Sequence, residues 1–218
     1  MPSPEPRRTP PSAPVLPLAD DLVRLEPLGH EHAPALREAA SGPRDSYGFT
    51  EVPAPETVDA YLDGHLRRAA GGDFWPMAQV DAATGRVVGV TCFLAARRWP
   101  GEDRLLAIEV GGTWLHPDAQ GTAINSAAKR LLMRHAFEDL GVARLDIKTD
   151  ARNARARAGI EAVGARFEGV LRSWQPSALP GEAGLPRDTA MYSVVAAEWP
   201  EVERLLGERI AAKLALPG

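Results

Sequence analysis

Residues 114–137, WLHPDAQGTAINSAAKRLLMRHAF, begin as the end of a strand and finish as an amphipathic helix. Apolar residues at Ile124, Ala127, Ala128, Leu131, Leu132 and Leu140 follow helical spacing, and Gly141 is placed to end that helix. Between strand and helix lies the turn Gln120-Gly121-Thr122-Ala123-Ile124-Asn125. A helix N-terminus offers unpaired N–H groups and the positive end of the helix dipole, so such a turn suits a phosphate. Gly121 and Ala123 are small, Thr122 adds a hydroxyl and Asn125 an amide. The paired glycines and lysine of a nucleotide-hydrolysing loop are missing. Two readings stay open from these residues alone: a phosphate cradle, or a plain helix start capped by Gly121 and Thr122.

Upstream, Leu22–Glu26 alternates as a half-buried strand should, and His30–Ala40 and Glu56–Ala70 read as helices. Phe74–Val80 and Arg86–Phe93 flank DAATG, a hairpin signal, and Leu105–Leu115 continues the meander. Downstream come a strand at Leu145–Thr149, a helix at Asn153–Val163, strands at Arg166–Leu171 and Asp188–Val195, and a helix from Glu198 to about Leu214. The pattern predicts one mixed α/β domain over residues 21–214, with a mostly antiparallel sheet flanked by helices. The first twenty residues hold seven prolines and read as a disordered tail.

With 218 residues and 44% apolar content there is enough material for a substantial core. A net charge of −4 argues against a nucleic-acid partner, and no apolar run reaches the length of a membrane span. Cys92 is the sole cysteine, which excludes a disulfide framework and points to a cytoplasmic location. The five histidines show no metal-ligand spacing, so no metal is expected.

The string from EVGGTWLHPDAQGT through LLMRHAF, KTDARN and GARFEGVLR to RDTAMYSVV resembles the GNAT superfamily of N-acetyltransferases, in its RimJ/RimL-like branch. The resemblance implies a sheet that splays open, acetyl-CoA as cosubstrate, an amine acceptor and, in some members, a homodimer. It implies that Gln120, Gly121, Thr122, Ala123, Ile124 and Asn125 form the pyrophosphate loop. Ala123 stands where the family has glycine and Asn125 where it has a small residue, so a somewhat obstructed loop is expected. By the same resemblance the backbone of Thr113, Trp114 and Leu115 lines the pantetheine arm, and Asn153 hydrogen-bonds it. Ala156 occupies the position where many members carry a serine, which removes that group as a general acid.

An amine attacks a thioester only as the free base, so a base near the acyl group is required. Glu109 interrupts the apolar strand LLAIEVGGTWL, where burial would raise its pKa, and the family often has an acid on this strand. It is the candidate general base; a solvent-facing strand glutamate is the plainer reading. Tyr192, in the last strand, is the candidate acid for the departing thiol, against the commoner role of a core tyrosine. Tyr47, Phe49 and Trp99 are candidate acceptor contacts. The expected activity is transfer of an acetyl group to a primary amine, of a protein N-terminus or a small molecule, in a ternary complex. The alternative is a non-catalytic acyl-CoA-binding or partner-interaction protein with a degenerate site.

Overall fold

The alternating segments do become strands. β1 (Leu18–Ala19), β2 (Val23–Pro27), β3 (Phe74–Asp81), β4 (Val87–Arg98), β5 (Leu105–Leu115), β6 (Arg144–Asp150), β7 (Arg166–Pro176) and β8 (Pro186–Val195) form one sheet, ordered β1-β2-β3-β4-β5-β6-β8-β7. This architecture comes from a computed structural model describing residues 13–14, 16–179 and 181–215. The helices are α1 (Ala33–Ala39), α2 (Val58–Ala69), α3 (Ile124–Arg134), α4 (Ala154–Glu161) and α5 (Trp199–Leu214). No helix among the described residues is long and apolar enough to cross a membrane.

The β3–β4 hairpin closes as its turn residues dictate. The Asp81 carboxylate accepts from the Ala83 N–H and the Thr84 hydroxyl, and Gly85 takes a positive φ of 72°. Most of the stretch expected as tail, residues 1–12 and 15, lies outside the described residues. Its end does not: Leu18 and Ala19 pair with Leu25 and Arg24, so the sheet begins before the expected boundary.

Two apolar layers hold the sheet. On one face Met77, Phe93, Ile108, Val110, Leu145 and Ile147 pack under α3 and α5 through Leu132, Leu206 and Ile210. On the other, Ala78, Val90, Cys92 and Trp114 pack under α1 and α2 through Leu36, Val58 and Leu62. Neither layer crosses the sheet, because side chains alternate between its faces.

The functional geometry comes from the one parallel junction among the described residues. β5 and β6 pair only at Ala107↔Arg144, Ile108↔Leu145 and Glu109↔Asp146. β6 goes on pairing with β8 as far as Asp150↔Thr189, and β5 goes on pairing with β4 as far as Leu115↔Gly89. The two central strands therefore part beyond Glu109 and leave a wedge, the splay expected from the sequence. Along that wedge the β5 edge from Val110 to Leu115 has no strand partner among the described residues. A bulge between Val90 and Cys92, with Gly112 at φ 59°, twists β5 at the wedge.

Candidate active site

At the mouth of the wedge the chain leaves β5 and turns into α3. Gly121 has φ 80° and open space where a Cβ would stand, so backbone is the only obstacle above the turn. The Thr122 hydroxyl donates to the Ala119 carbonyl and accepts from the Ile124 N–H. The backbone N–H groups of Gly121, Thr122, Ala123, Asn125 and Ser126 have no partner among the described residues. α3 has no side-chain cap, and the positive end of its dipole points out of the same turn. This is an anion cradle in construction.

The Ala123 methyl lies toward the core rather than over the turn. It is buried, and it packs with Ala127 and Leu131 in the α3 core layer. Asn125 leaves its Oδ1 buried without a partner among the described residues.

Residues distant in sequence brace the loop. Gln120 Nε2 donates to Ser46 Oγ and to the Leu115 carbonyl, both at 3.0 Å, while its Oε1 accepts from Arg155 at 2.7 Å. Lys213, at the end of α5, donates to the Gly121 and Thr122 carbonyls at 2.8 and 2.6 Å. Those contacts join the two ends of the domain's second half, and no local pattern announces them.

Opposite the loop, Asn153 caps α4, its Oδ1 accepting from the Ala156 N–H at 2.9 Å. Its side-chain amide nitrogen has no partner among the described residues. Beneath the bulge, Lys129 is buried and donates to Thr113 Oγ1 at 3.2 Å; burial drags its pKa down to about 8. Sequence reading missed Lys129, because one lysine on a helix normally marks the solvent side.

Glu109 stands at the apex, where the strands begin to part. It is 4% exposed, and Lys148 Nζ lies 2.7 Å from its Oε2, joining β5 to β6 across the opening. Burial pushes the Glu109 carboxyl above its usual range, against the lowering pull of Lys148. The solvent-facing alternative is thereby removed. Asp146, on the same face, is held by Arg97 and Arg144 at 2.5 Å each.

Tyr192 is not brought to Glu109. Cross-strand partners share a face, and Glu109↔Asp146↔Ser193 places Glu109 on the α1–α2 side. Tyr192 pairs with Ile147 and faces the other way. Its hydroxyl accepts from Arg157 Nε at 3.0 Å and donates to Glu161 Oε1 at 3.1 Å, which ties both of its hydrogen-bonding roles to α4.

The acceptor candidates divide. Tyr47 is buried, donates to the Leu115 carbonyl at 3.0 Å and meets Trp114 edge-on. Trp114 in turn donates to the Tyr61 hydroxyl at 3.2 Å. Phe49 is half-buried under the Arg152 guanidinium, 5.6 Å from its ring centroid. Trp99 sits instead at the far tip of the β4–β5 hairpin, stacked with Arg104. Among the described residues no cluster of His, Cys, Asp and Glu is arranged to hold a metal.

The family model for the acetyltransferase (GNAT) domain matches residues 23–166. A GCN5-related N-acetyltransferase from Brucella melitensis is 27% identical, with a TM-score of 0.78 over 94% of this chain and 90% of its own. A protein of T. thermophilus assigned as an acetyltransferase is 32% identical, with a TM-score of 0.73 over 90% and 97%. RimJ of Mycobacterium smegmatis, solved with CoA-disulfide, shares the fold at 22% identity, with a TM-score of 0.70 over 91% and 94%. No curated protein matches the chain.

Proposed function

The chain belongs to the GNAT family of acetyl-CoA-dependent acetyltransferases, and from that premise we propose that it acetylates a primary amine by direct attack within a ternary complex. The observation that carries this reading is the buried Glu109 at the apex of a wedge whose mouth is an uncapped helix N-terminus.

The residues present fit the cosubstrate. The N–H groups of Gly121, Thr122, Ala123, Asn125 and Ser126, unpartnered among the described residues, suit its pyrophosphate, with the Gln120 and Lys213 braces holding them in place. The unpaired β5 edge through Thr113, Trp114 and Leu115 suits the amides of an extended arm, in the manner of an added strand. Asn153 closes that arm from the α4 side. Acetyl-CoA supplies a thioester carbonyl activated toward amines. Glu109, entering on the α1–α2 face, takes the proton that the attacking amine must lose, and Lys148 fixes the orientation of its carboxylate. Tyr192 serves as a pin between β8 and α4. Tyr47 acts by shaping the backbone at Leu115, Phe49 borders the acceptor path, and Trp99 is left with a role in the hairpin turn.

Thiol release from acetyl-CoA, followed with a panel of amines, tests the reading. Amine-dependent release above the hydrolysis background is the expected result. Measurable CoA binding without amine-dependent release would point to a non-catalytic binding protein. A second expectation concerns the loop. Because the Ala123 methyl turns into the core, Ala123→Gly should change the CoA dissociation constant by less than about twofold. A tenfold gain in affinity would show that the methyl obstructs the phosphate.

A cytoplasmic location is part of the same reading, supported by the buried free thiol of Cys92. So is a homodimer, supported by half-exposed Phe167, Val170 and Trp174 on the edge strand β7. Sedimentation as a monomer at micromolar concentration would remove the dimer.

A further inference from the structure

Arg187 begins the buried part of β8, pairing with Gln175 two residues before Thr189. It is 8% exposed, whereas arginine is almost never buried without a carboxylate beside it. Among the described residues there is none to pair with. The carboxylates whose fields reach it are Asp150 and Glu109, and both are taken. Arg152 holds Asp150 through its Nε, its Nη2 and its backbone N–H, and Lys148 holds Glu109. No hydrogen bond or ion pair reaches the Arg187 guanidinium among the described residues, and its Nε is sealed from solvent without a partner.

A second group on the same strand is orphaned too. Thr189 is fully buried, and its Oγ1 has no partner among the described residues. Residues two apart on a strand share a face, so Arg187 and Thr189 point the same way. Register gives that face: Thr189 pairs with Asp150, which alternates with Lys148 and Asp146, and Asp146 pairs with Glu109. The two unsatisfied groups therefore lie on the α1–α2 side, where the acceptor must approach Glu109. The phosphate cradle at Gly121–Ser126 is served by its own N–H groups and stands at the head of α3, on the opposite side. A guanidinium and a hydroxyl, both donors and both without acceptors, make a site for an anion.

We propose that Arg187 and Thr189 form an anion subsite of the acceptor pocket, so that the preferred acceptor is an amine bearing a carboxylate a few bonds from its nitrogen. Glu109 takes the amine proton while Arg187 holds the carboxylate, and the two fix the nitrogen toward the wedge. The subsite rests on the acetyltransferase reading, and it narrows that reading to one class of acceptor. The carboxylate can be the α-carboxylate of a free amino acid or the acidic side chain of a peptide's first residue; the chemistry recognised is the same.

The test compares thiol release with matched acceptors: free amino acids against their amides, and short peptides beginning with Asp or Glu against those beginning with Asn or Gln. Wild-type protein should prefer the charged member of at least one set by roughly 10- to 100-fold in kcat/KM, carried mainly by KM. The set that shows the preference identifies the source of the carboxylate. In Arg187→Met the ratio should collapse toward one, and Arg187→Lys should restore part of it. Equal turnover of charged and uncharged acceptors by the wild type would overturn the subsite while leaving acetyl transfer intact. An unchanged preference in Arg187→Met would do the same. Should the wild type turn over no amine, acetyl transfer itself fails. The subsite is then judged by whether glutamate raises the melting temperature of the wild type and not of Arg187→Met; equal shifts would overturn it. Misfolding is not the expected confounder, since removing an unpaired buried charge relieves a desolvation cost.

Discussion

Glu109→Gln is expected to lower kcat/KM for the amine by about 10²- to 10⁴-fold, the range over which a positioned general base contributes. Glutamine keeps the volume and an oxygen that can still accept from Lys148 Nζ, but it cannot take a proton. The pH dependence separates loss of the base from loss of packing. Burial raises the Glu109 pKa, so as pH falls the carboxylate is lost earlier than an ordinary glutamate would be. Wild-type kcat/KM should therefore rise with pH through that raised value, and the variant should lack this limb. Lys148→Met supplies the opposite displacement. Without its cation the buried carboxylate is harder to form, and the limb should move to higher pH. Both variants disturb a buried ion pair, so melting temperatures must accompany the kinetics. If Glu109→Gln retains the acid limb and more than half the rate, the base is elsewhere.

Much of the local geometry around this site was legible in the sequence, and what was hidden has a common cause. The strand–turn–helix at Leu115–Ile124 and the apolar strand interrupted by Glu109 are local patterns, and local patterns survive folding. Asp146, Lys148 and Asp150 alternate in LDIKTD, and charged residues in alternation ordinarily mark the wet face of a half-buried strand. They are instead mostly buried, because that face lines the splay and each charge has found a partner. Alternation reports that two faces differ, not which one meets water. The direction of Tyr192 was hidden for a related reason: its face is set by pairing with Ile147, in a strand far away in sequence. Lys213 on the loop carbonyls and Arg155 on Gln120 are contacts between elements, for which no spacing rule exists. Leu18–Ala19 is too short to show a period.

The strongest purely structural expectation concerns a glycine that no motif singles out. Gly89 in β4 pairs with Leu115 in β5, and a Cβ added there would stand 2.0 Å from the Trp114 carbonyl oxygen and 2.9 Å from the Leu115 Cα. These are backbone atoms, and no rotamer change moves them aside. The strands would have to separate at the point where Leu115 accepts from Tyr47 and Gln120, and where Gln79 reaches the Val90 and Trp114 carbonyls. Gly89→Ala should therefore cost at least the 1–3 kcal/mol typical of overpacking, roughly 2–4 °C of melting temperature per kcal/mol in a domain of this size. Its second effect separates it from generic damage. The end of β5 leads into the turn proposed to hold the pyrophosphate, so CoA affinity should fall in the protein that remains folded. Gly64→Ala in α2 is the matched control, since its added Cβ meets nothing within 4 Å. There a helix-interior alanine should stabilise by about 0.5–1 kcal/mol and leave CoA binding alone. The same one-methyl change thus takes opposite signs at two glycines of one chain. A Gly89→Ala protein that melts with the wild type and binds CoA as well would mean that β4 and β5 do not approach as closely at Leu115 as the sheet requires.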